Sequence, residues 1–214
     1  KASLHKVHCA NNGAWKNNYL KPRSPHMITL SSGREQLALN LRLRDASSFE
    51  NYFVAHNREA VERLQHAVLN LGGAPHAPAS WLVLWGEPGT GKTHLLEAAC
   101  RAAQEQGHAP LYVPLAGKKD FTTALLEDVE QVPLVCVDDV DAIAGDAAWE
   151  AALFALYERL RAHGGMLILA ASTSPAAIGL KLADLATRLA AGLVYQLQPL
   201  SDAEKISALR LRAQ

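Results

Sequence analysis

Five short apolar runs constrain this chain more than any other feature: Trp81–Trp85 (WLVLW), 111–115 (LYVPL), 134–139 (LVCVDD), 166–171 (MLILAA) and 193–197 (LVYQL). None alternates apolar with polar residues, as a strand with one wet face would. Continuous apolar strands are buried on both faces, the condition of a parallel sheet covered by helices. The intervening segments supply those helices. Val61, Leu64, Val68 and Leu71 recur at helical spacing until Gly72-Gly73. Further helices are expected from about Lys92 to Gln106 (closed by Gly107), around 118 to 127, from about 147 to 162 (ended by Gly164-Gly165) and near 183 to 190. Strands alternating with helices specify an α/β fold, a parallel sheet flanked by helices.

At 214 residues the chain suffices for one sizeable α/β domain and a piece of another. Its 21 basic and 21 acidic residues are unevenly spread. Residues 1–34 hold Lys1, Lys6, Lys16, Lys21, Arg23 and Arg34 and no acid, so 35–214 carry 15 basic against 21 acidic residues, a net of −6. Such a body does not neutralise phosphates well, which points away from direct nucleic-acid binding and towards protein or nucleotide partners. Cys9, Cys100 and Cys136 have no framework spacing and read as free thiols of a reducing, cytoplasmic compartment. No apolar run approaches the ~18 residues of a membrane span, so no membrane partner is expected. Residues 1–27 are polar and aperiodic and read as a leader, of cloning origin or disordered, ahead of a native start at Met27. His5, His8 and Cys9 lack the second spaced pair of a metal site. At the other end, Ser201-Asp202-Ala203-Glu204 forms a capping box opening a helix that the chain barely completes, the expected start of a truncated further domain over 201–214.

The chemistry lies between the first run and its helix. Gly86-Glu87-Pro88-Gly89-Thr90-Gly91-Lys92-Thr93 fits G-x-x-x-x-G-K-[ST] at every fixed position and in the strand–loop–helix context that the motif requires. Glycines let backbone N–H groups curl around a phosphate, the helix N-terminus favours the anion, Lys92 reaches phosphate oxygens and Thr93 ligates Mg²⁺. Gly86, Pro88, Gly89, Thr90, Gly91, Lys92, Thr93 and the adjoining His94 are therefore the candidate nucleotide contacts, with ADP or ATP and Mg²⁺ as cofactors. Farther on, a buried run ends in Asp138-Asp139, a Walker B pattern in which Asp138 holds Mg²⁺ and Asp139 orients an attacking water. The alternative is that the two carboxylates cap the next helix.

The order of parts resembles a known family. The stretches LWGEPGTGKTHLLEAAC, VCVDDVDAIAG and DLATRLAAGLVYQLQPLSDAEK resemble the AAA+ domain of the DnaA-related family, and within it most of all the small DnaA regulatory inactivators of the Hda branch, over roughly 35 to 214. IAGDAAWE and LQPLSDAEK are the most specific pieces. The resemblance implies an AAA+ domain over 49–200 and the start of its lid over 201–214. It places Arg188 at the arginine-finger position, used in trans against a neighbour's nucleotide; a planar, permanently charged guanidinium suits that role. Without the family, Arg188 would read as a surface residue or an ion pair with Asp184. FENYFVAHN (49–57) resembles the segment that cups adenine, with Val54 as contact, although core packing by Tyr52, Phe53 and Val54 explains it equally well. The sensor-1 position is Ser172 where relatives are acidic, and a sensor-2 arginine would lie past Gln214.

Within the segment 28–48, QLALNL (36–41) resembles the sliding-clamp-binding hexapeptide of the same branch. Gln36, Leu37, Leu39 and Leu41 would then bind the β clamp of DNA polymerase III; the alternative is an edge strand with its leucines on one face. The implied function is a nucleotide-bound adaptor with little or no ATPase of its own, which docks on the clamp and stimulates hydrolysis of ATP on DnaA, down-regulating initiation. It would meet DNA only through the clamp and could self-associate. The competing expectation is a self-acting AAA+ ATPase, an initiator or a DnaC-like helicase loader.

Overall fold

The computed structural model describes residues 47–72, 81–129 and 131–212. The leader and the 36–41 segment, with Gln36, Leu37, Leu39 and Leu41, lie outside them. Five strands form one parallel sheet in the order β2-β3-β4-β1-β5: β1 Trp81–Trp85, β2 Leu111–Pro114, β3 Leu134–Asp138, β4 Met166–Ala171 and β5 Leu193–Gln196. The helices are α1 Arg58–Leu69, α2 Lys92–Glu105, α3 Ala147–His163, α4 Ala183–Ala191 and α5 Asp202–Arg212. All five expected strands are present to within a residue.

The pleat sorts each apolar run onto two cores. Val83, Val135, Val137, Leu167 and Leu169 face α3 and α4, meeting Leu153, Leu156, Leu160, Leu185 and Leu189. Leu82, Leu84, Leu134, Cys136, Ile168 and Ala170 face α1 and α2, meeting Leu64, Val68, Leu95, Leu96 and Cys100. Every one of these side chains is essentially without solvent contact, which is why the runs show no alternation. Cys100 and Cys136 are free thiols, as their spacing implied.

One expected helix is absent. Residues 118–127 form two 3₁₀ turns, Leu115–Asp120 and Thr123–Leu126. Gly117 interrupts the first (φ −91°, ψ 17°), and Phe121 and Thr122 are extended between them. The apolar spacing that suggested a helix instead lets Phe121, Leu125 and Leu126 reach the core from separate turns, with Arg159 Nη2 donating to the Leu126 carbonyl at 2.6 Å.

The capping box is formed. Ser201 Oγ donates to Glu204 Oε2 at 2.6 Å and the Glu204 amide donates back to Ser201 Oγ at 3.4 Å, opening α5. Among the described residues no helix is long and apolar enough to cross a membrane.

In a parallel sheet all carboxyl ends lie on one side, and a ligand site forms there where neighbouring connections run in opposite directions. From β1 the chain runs through α2 to β2 at one edge, while α4 leads into β5 at the other. The loop after β1 sits at that divide.

Candidate functional site

The 86–93 loop is held open by its glycines. Gly91 has φ +92°, and a Cβ there would fall 2.6 Å from Tyr52 Cε2; at Gly86 a Cβ would fall 2.6 Å from the Leu197 carbonyl oxygen. Both positions thus exclude a side chain for lack of space, and Gly91 also adopts a backbone conformation that favours glycine. The tip, Glu87-Pro88-Gly89, is exposed, whereas Thr90 and Lys92 are buried. Thr90 Oγ1 donates to the Glu87 carbonyl at 2.9 Å, closing the turn. Lys92, 8% exposed, donates to the carbonyls of Gly86 (2.7 Å) and Glu87 (3.0 Å), which brings its ammonium inside the curve of the loop.

Asp138 closes β3 at 2% exposure and accepts three hydrogen bonds. Its Oδ2 accepts from Thr93 Oγ1 at 2.6 Å and from the Tyr112 hydroxyl at 2.9 Å, and its Oδ1 accepts from the Asp139 amide at 3.0 Å. Neither carboxylate caps the 3₁₀ turn that follows, Val140–Ile143, so the helix-cap alternative fails. The hydroxyl and carboxylate oxygens brought together by Thr93 and Asp138 are the hard donors that Mg²⁺ takes, usually with substrate phosphates and water completing the shell. Among the described residues no cluster of three or more His, Cys, Asp or Glu could hold a metal.

Asp139 is half-buried with φ +55°. Burial, then the charges of Asp138 and Asp141, raise its carboxyl above the ordinary range, with Lys92 offsetting part of the rise. A carboxyl so placed takes up a proton more readily than a solvated one. Tyr112 is pushed far upward by burial and by Asp138, so it stays a neutral donor.

Sequence reasoning missed three partnerships. The Asp141 carboxylate accepts from the Ser172 amide at 2.8 and 3.0 Å and from Ser172 Oγ at 3.0 Å. A carboxylate from a neighbouring turn thus lies beside position 172. Tyr112 on Asp138 is the second. In the third, buried Asn57 receives the Gln198 amide at 2.8 Å and donates to the Gln198 carbonyl and to the Tyr52 hydroxyl, each at 3.1 Å. Tyr52 in turn donates to the Thr90 carbonyl at 3.1 Å, joining the 49–57 segment to the loop. Burial raises the Tyr52 phenol, Asn57 opposing. Val54 is half-buried at the edge of the α1–α2 core and its carbonyl accepts from the Asn57 amide at 2.7 Å. His94 turns towards this segment, with Nε2 2.8 Å from the Ser48 carbonyl and its ring 5.5 Å from that of Tyr52.

Arg188 lies away from this group, in the last turn of α4. Its carbonyl accepts from the indole N–H of Trp81 at 3.0 Å. Trp81 opens β1 and the phosphate loop leaves from Trp85, about 13 Å along the strand at ~3.3 Å per residue. The half-exposed guanidinium pairs not with Asp184 but with Glu158 of α3, Nε to Oε1 at 3.8 Å, too long for a hydrogen bond.

Comparison with known proteins agrees with this geometry. Residues 43–196 match the family model described as the bacterial DnaA ATPase domain. A crystal structure of a DNA replication initiation factor is 25% identical with a TM-score of 0.67, covering 77% of this chain and 53% of that one. Replication initiator DnaA bound to AMPPCP and single-stranded DNA is 26% identical with a TM-score of 0.68, covering 80% and 56%. The chain thus spans about half the length of these structures. The DnaC helicase loader, at 20% identity and a TM-score of 0.51 over 71% and 97%, shares the fold.

Proposed function

Since the chain belongs to the bacterial DnaA ATPase-domain family, we propose that it is a nucleotide-bound regulatory adaptor which presents Arg188 to ATP held by DnaA. In this reading ADP, or ATP, sits on the 86–93 loop with Lys92 at the phosphates. Thr93 and Asp138 hold Mg²⁺, and Val54 and His94 border the base. The cation withdraws charge from phosphate oxygens when bound. Gln36, Leu37, Leu39 and Leu41 dock the chain on the β clamp, so that DnaA meets it on DNA in the cytoplasm.

The observation that carries the reading is the separation just described. Arg188 sits at the amino end of β1 and the phosphate loop at its carboxyl end, so the arginine faces away from its own nucleotide site. Its contact with Glu158 is beyond hydrogen-bond distance at 3.8 Å and the guanidinium is half-exposed, which leaves it available to a partner.

A second reading, a self-acting ATPase akin to a helicase loader, has its own support. Asp139 is poised as a base beside Asp138, and Asp141 brings a carboxylate to the end of β4.

One assay separates them: hydrolysis of DnaA-bound ATP with and without clamp loaded on DNA. Arg188→Ala should lower stimulated hydrolysis by on the order of 10³-fold, the scale of a finger supplied in trans, while ADP binding stays normal. Replacing Gln36, Leu37 and Leu39 together by alanine should abolish clamp dependence alone. Stimulation untouched by Arg188→Ala refutes the adaptor. Rapid turnover of ATP by this chain alone establishes the second reading.

A further inference from the structure

Glu150, in the first turn of α3, is 1% exposed, and three backbone amides surround its carboxylate. Its Oε1 accepts from the Gly145 amide at 2.7 Å; Oε2 accepts from the amides of Lys181 at 2.9 Å and Leu182 at 2.7 Å. A buried carboxylate is retained at this depth only if its lone pairs are filled, and here three backbone donors fill them. Although burial opposes ionisation, these donors, with the Lys181 charge assisting, outweigh it and keep the carboxyl below its ordinary range.

The segments it joins are far apart in sequence. Gly145 ends the turn leaving Asp138 and Asp139, a turn tied back by the Ala142 amide on the Asp139 carbonyl at 2.9 Å. Lys181 and Leu182 lead into α4, whose N-cap residue, Leu182, makes no side-chain cap. Along its length α4 is anchored by the fully buried Leu185 and Leu189, and its last turn by the Trp81 indole on the Arg188 carbonyl. Two apolar side chains one turn apart choose which face is buried but resist sliding along the axis weakly. Hydrogen bonds at the two ends fix that axial position, because they are directional and short, and those at the start tie the helix to the β3 side.

We propose that Glu150 is a positioning residue for Arg188, setting the height of α4 against the end of β3 that bears Asp138 and Asp139. The proposal rests on the reading of Arg188 as a finger acting in trans. Glutamine has one acceptor oxygen in place of two. Glu150→Gln therefore leaves either the Gly145 amide or the α4 amides facing an NH₂ group.

The test is hydrolysis of γ-labelled ATP on DnaA in the presence of clamp-loaded DNA. Wild type, Glu150→Gln, Leu182→Pro and Arg188→Ala are compared at a temperature where circular dichroism shows each folded. Leu182→Pro removes one donor and sets its ring where that N–H pointed, so Glu150 Oε2 must move away from the start of α4 although the residue itself is kept; the native φ of −77° suits proline. Rates are expressed per ADP-binding molecule, so that partial unfolding, which removes both together, leaves the ratio unchanged. The expected result for Glu150→Gln is a maximal rate lower by on the order of 10²-fold, the effect of misplacing a catalytic group by about 1 Å. ADP affinity and the half-saturating concentration should stay at wild-type values. Leu182→Pro should fall in the same direction, and it decides the matter if Glu150→Gln does not fold. A wild-type maximal rate in the folded variants overturns the proposal while leaving the finger intact. A wild-type rate in Arg188→Ala overturns the underlying reading and this proposal with it.

Discussion

Gly91→Ala tests how tightly the phosphate loop is built on its surroundings. Alanine at φ +92° costs about 1–2 kcal/mol in backbone strain alone. The new Cβ would lie 2.6 Å from Tyr52 Cε2, whereas carbon atoms settle at about 3.5–4.0 Å, so one of them must yield by about 1 Å. The ring is poorly placed to do so. Tyr52 is 8% exposed, its hydroxyl is engaged by Thr90 and Asn57, and its ring packs in the α1–α2 core. Overpacking of that kind costs about 1–3 kcal/mol. The sum, about 2–5 kcal/mol, lowers Tm by roughly 5–20 °C for a domain of this size.

The two contributions separate in a double-mutant cycle. With Tyr52→Ala already in place the clash vanishes, and Gly91→Ala should cost only its backbone share of about 1–2 kcal/mol. Chemical unfolding of the four proteins should therefore show a coupling of about 1–3 kcal/mol between the positions. Equal costs of Gly91→Ala in both backgrounds would refute the contact, and an unchanged Tm in the single variant would refute the loop conformation as well.

Lys92→Ala should weaken ADP binding by about 2–5 kcal/mol, by analogy with truncating one member of a buried charge pair; calorimetric titration reads this directly, and wild-type affinity would sink the phosphate assignment. Asp139→Asn should stabilise the protein at neutral pH. The Asp139 carboxyl is raised on folding, first by burial and then by Asp138 and Asp141, so its ionisation opposes folding above the folded pKa and ceases to matter below the unfolded one. Asparagine keeps the tolerance for φ +55°. The variant should melt above wild type at pH 7, with the gap closing as the pH falls towards ~4; a gap that widens on acidification contradicts the charge cluster.

The strands and the phosphate loop were legible because what specifies them is local. Burial on both faces writes itself as a run without alternation, and Gly86 to Thr93 form one turn with its helix start. Local pattern misled at 118–127, where apolar spacing compatible with a helix served two turns around Gly117 and Phe121. What stayed hidden were polar pairs assembled by strand order. Tyr112 meets Asp138 across 26 positions, Asp141 meets Ser172 across 31 and Asn57 meets Gln198 across 141. Each of these residues is ordinary in its own neighbourhood; the β2-β3-β4 adjacencies bring the first two pairs together, and packing of the 49–57 segment beside the end of β5 brings the third. IAGDAAWE stood out through family resemblance alone. Its physical content is now plain: Asp146 caps α3 by accepting from the Trp149 amide, and Glu150 collects three backbone amides.

The place of Arg188 follows from topology more than from any single contact. A helix that leads into a parallel strand must deliver the chain to the strand's amino end, because every strand of the sheet runs the same way. Arg188 occupies the last turn of such a helix, three residues and a glycine before β5. The phosphate loop, Asp138 and Ser172 all follow strands and so lie at the opposite, carboxyl side. Bringing Arg188 to its own loop would mean undoing the pairing of Leu82 with Leu193 and of Val83 with Val194, and with it the edge of the sheet. If this arginine meets a phosphate, that phosphate belongs to another molecule. The contact is then heterologous, the arginine side of one protein against the nucleotide side of the next, and such contacts repeat head to tail unless the partner lacks a matching face.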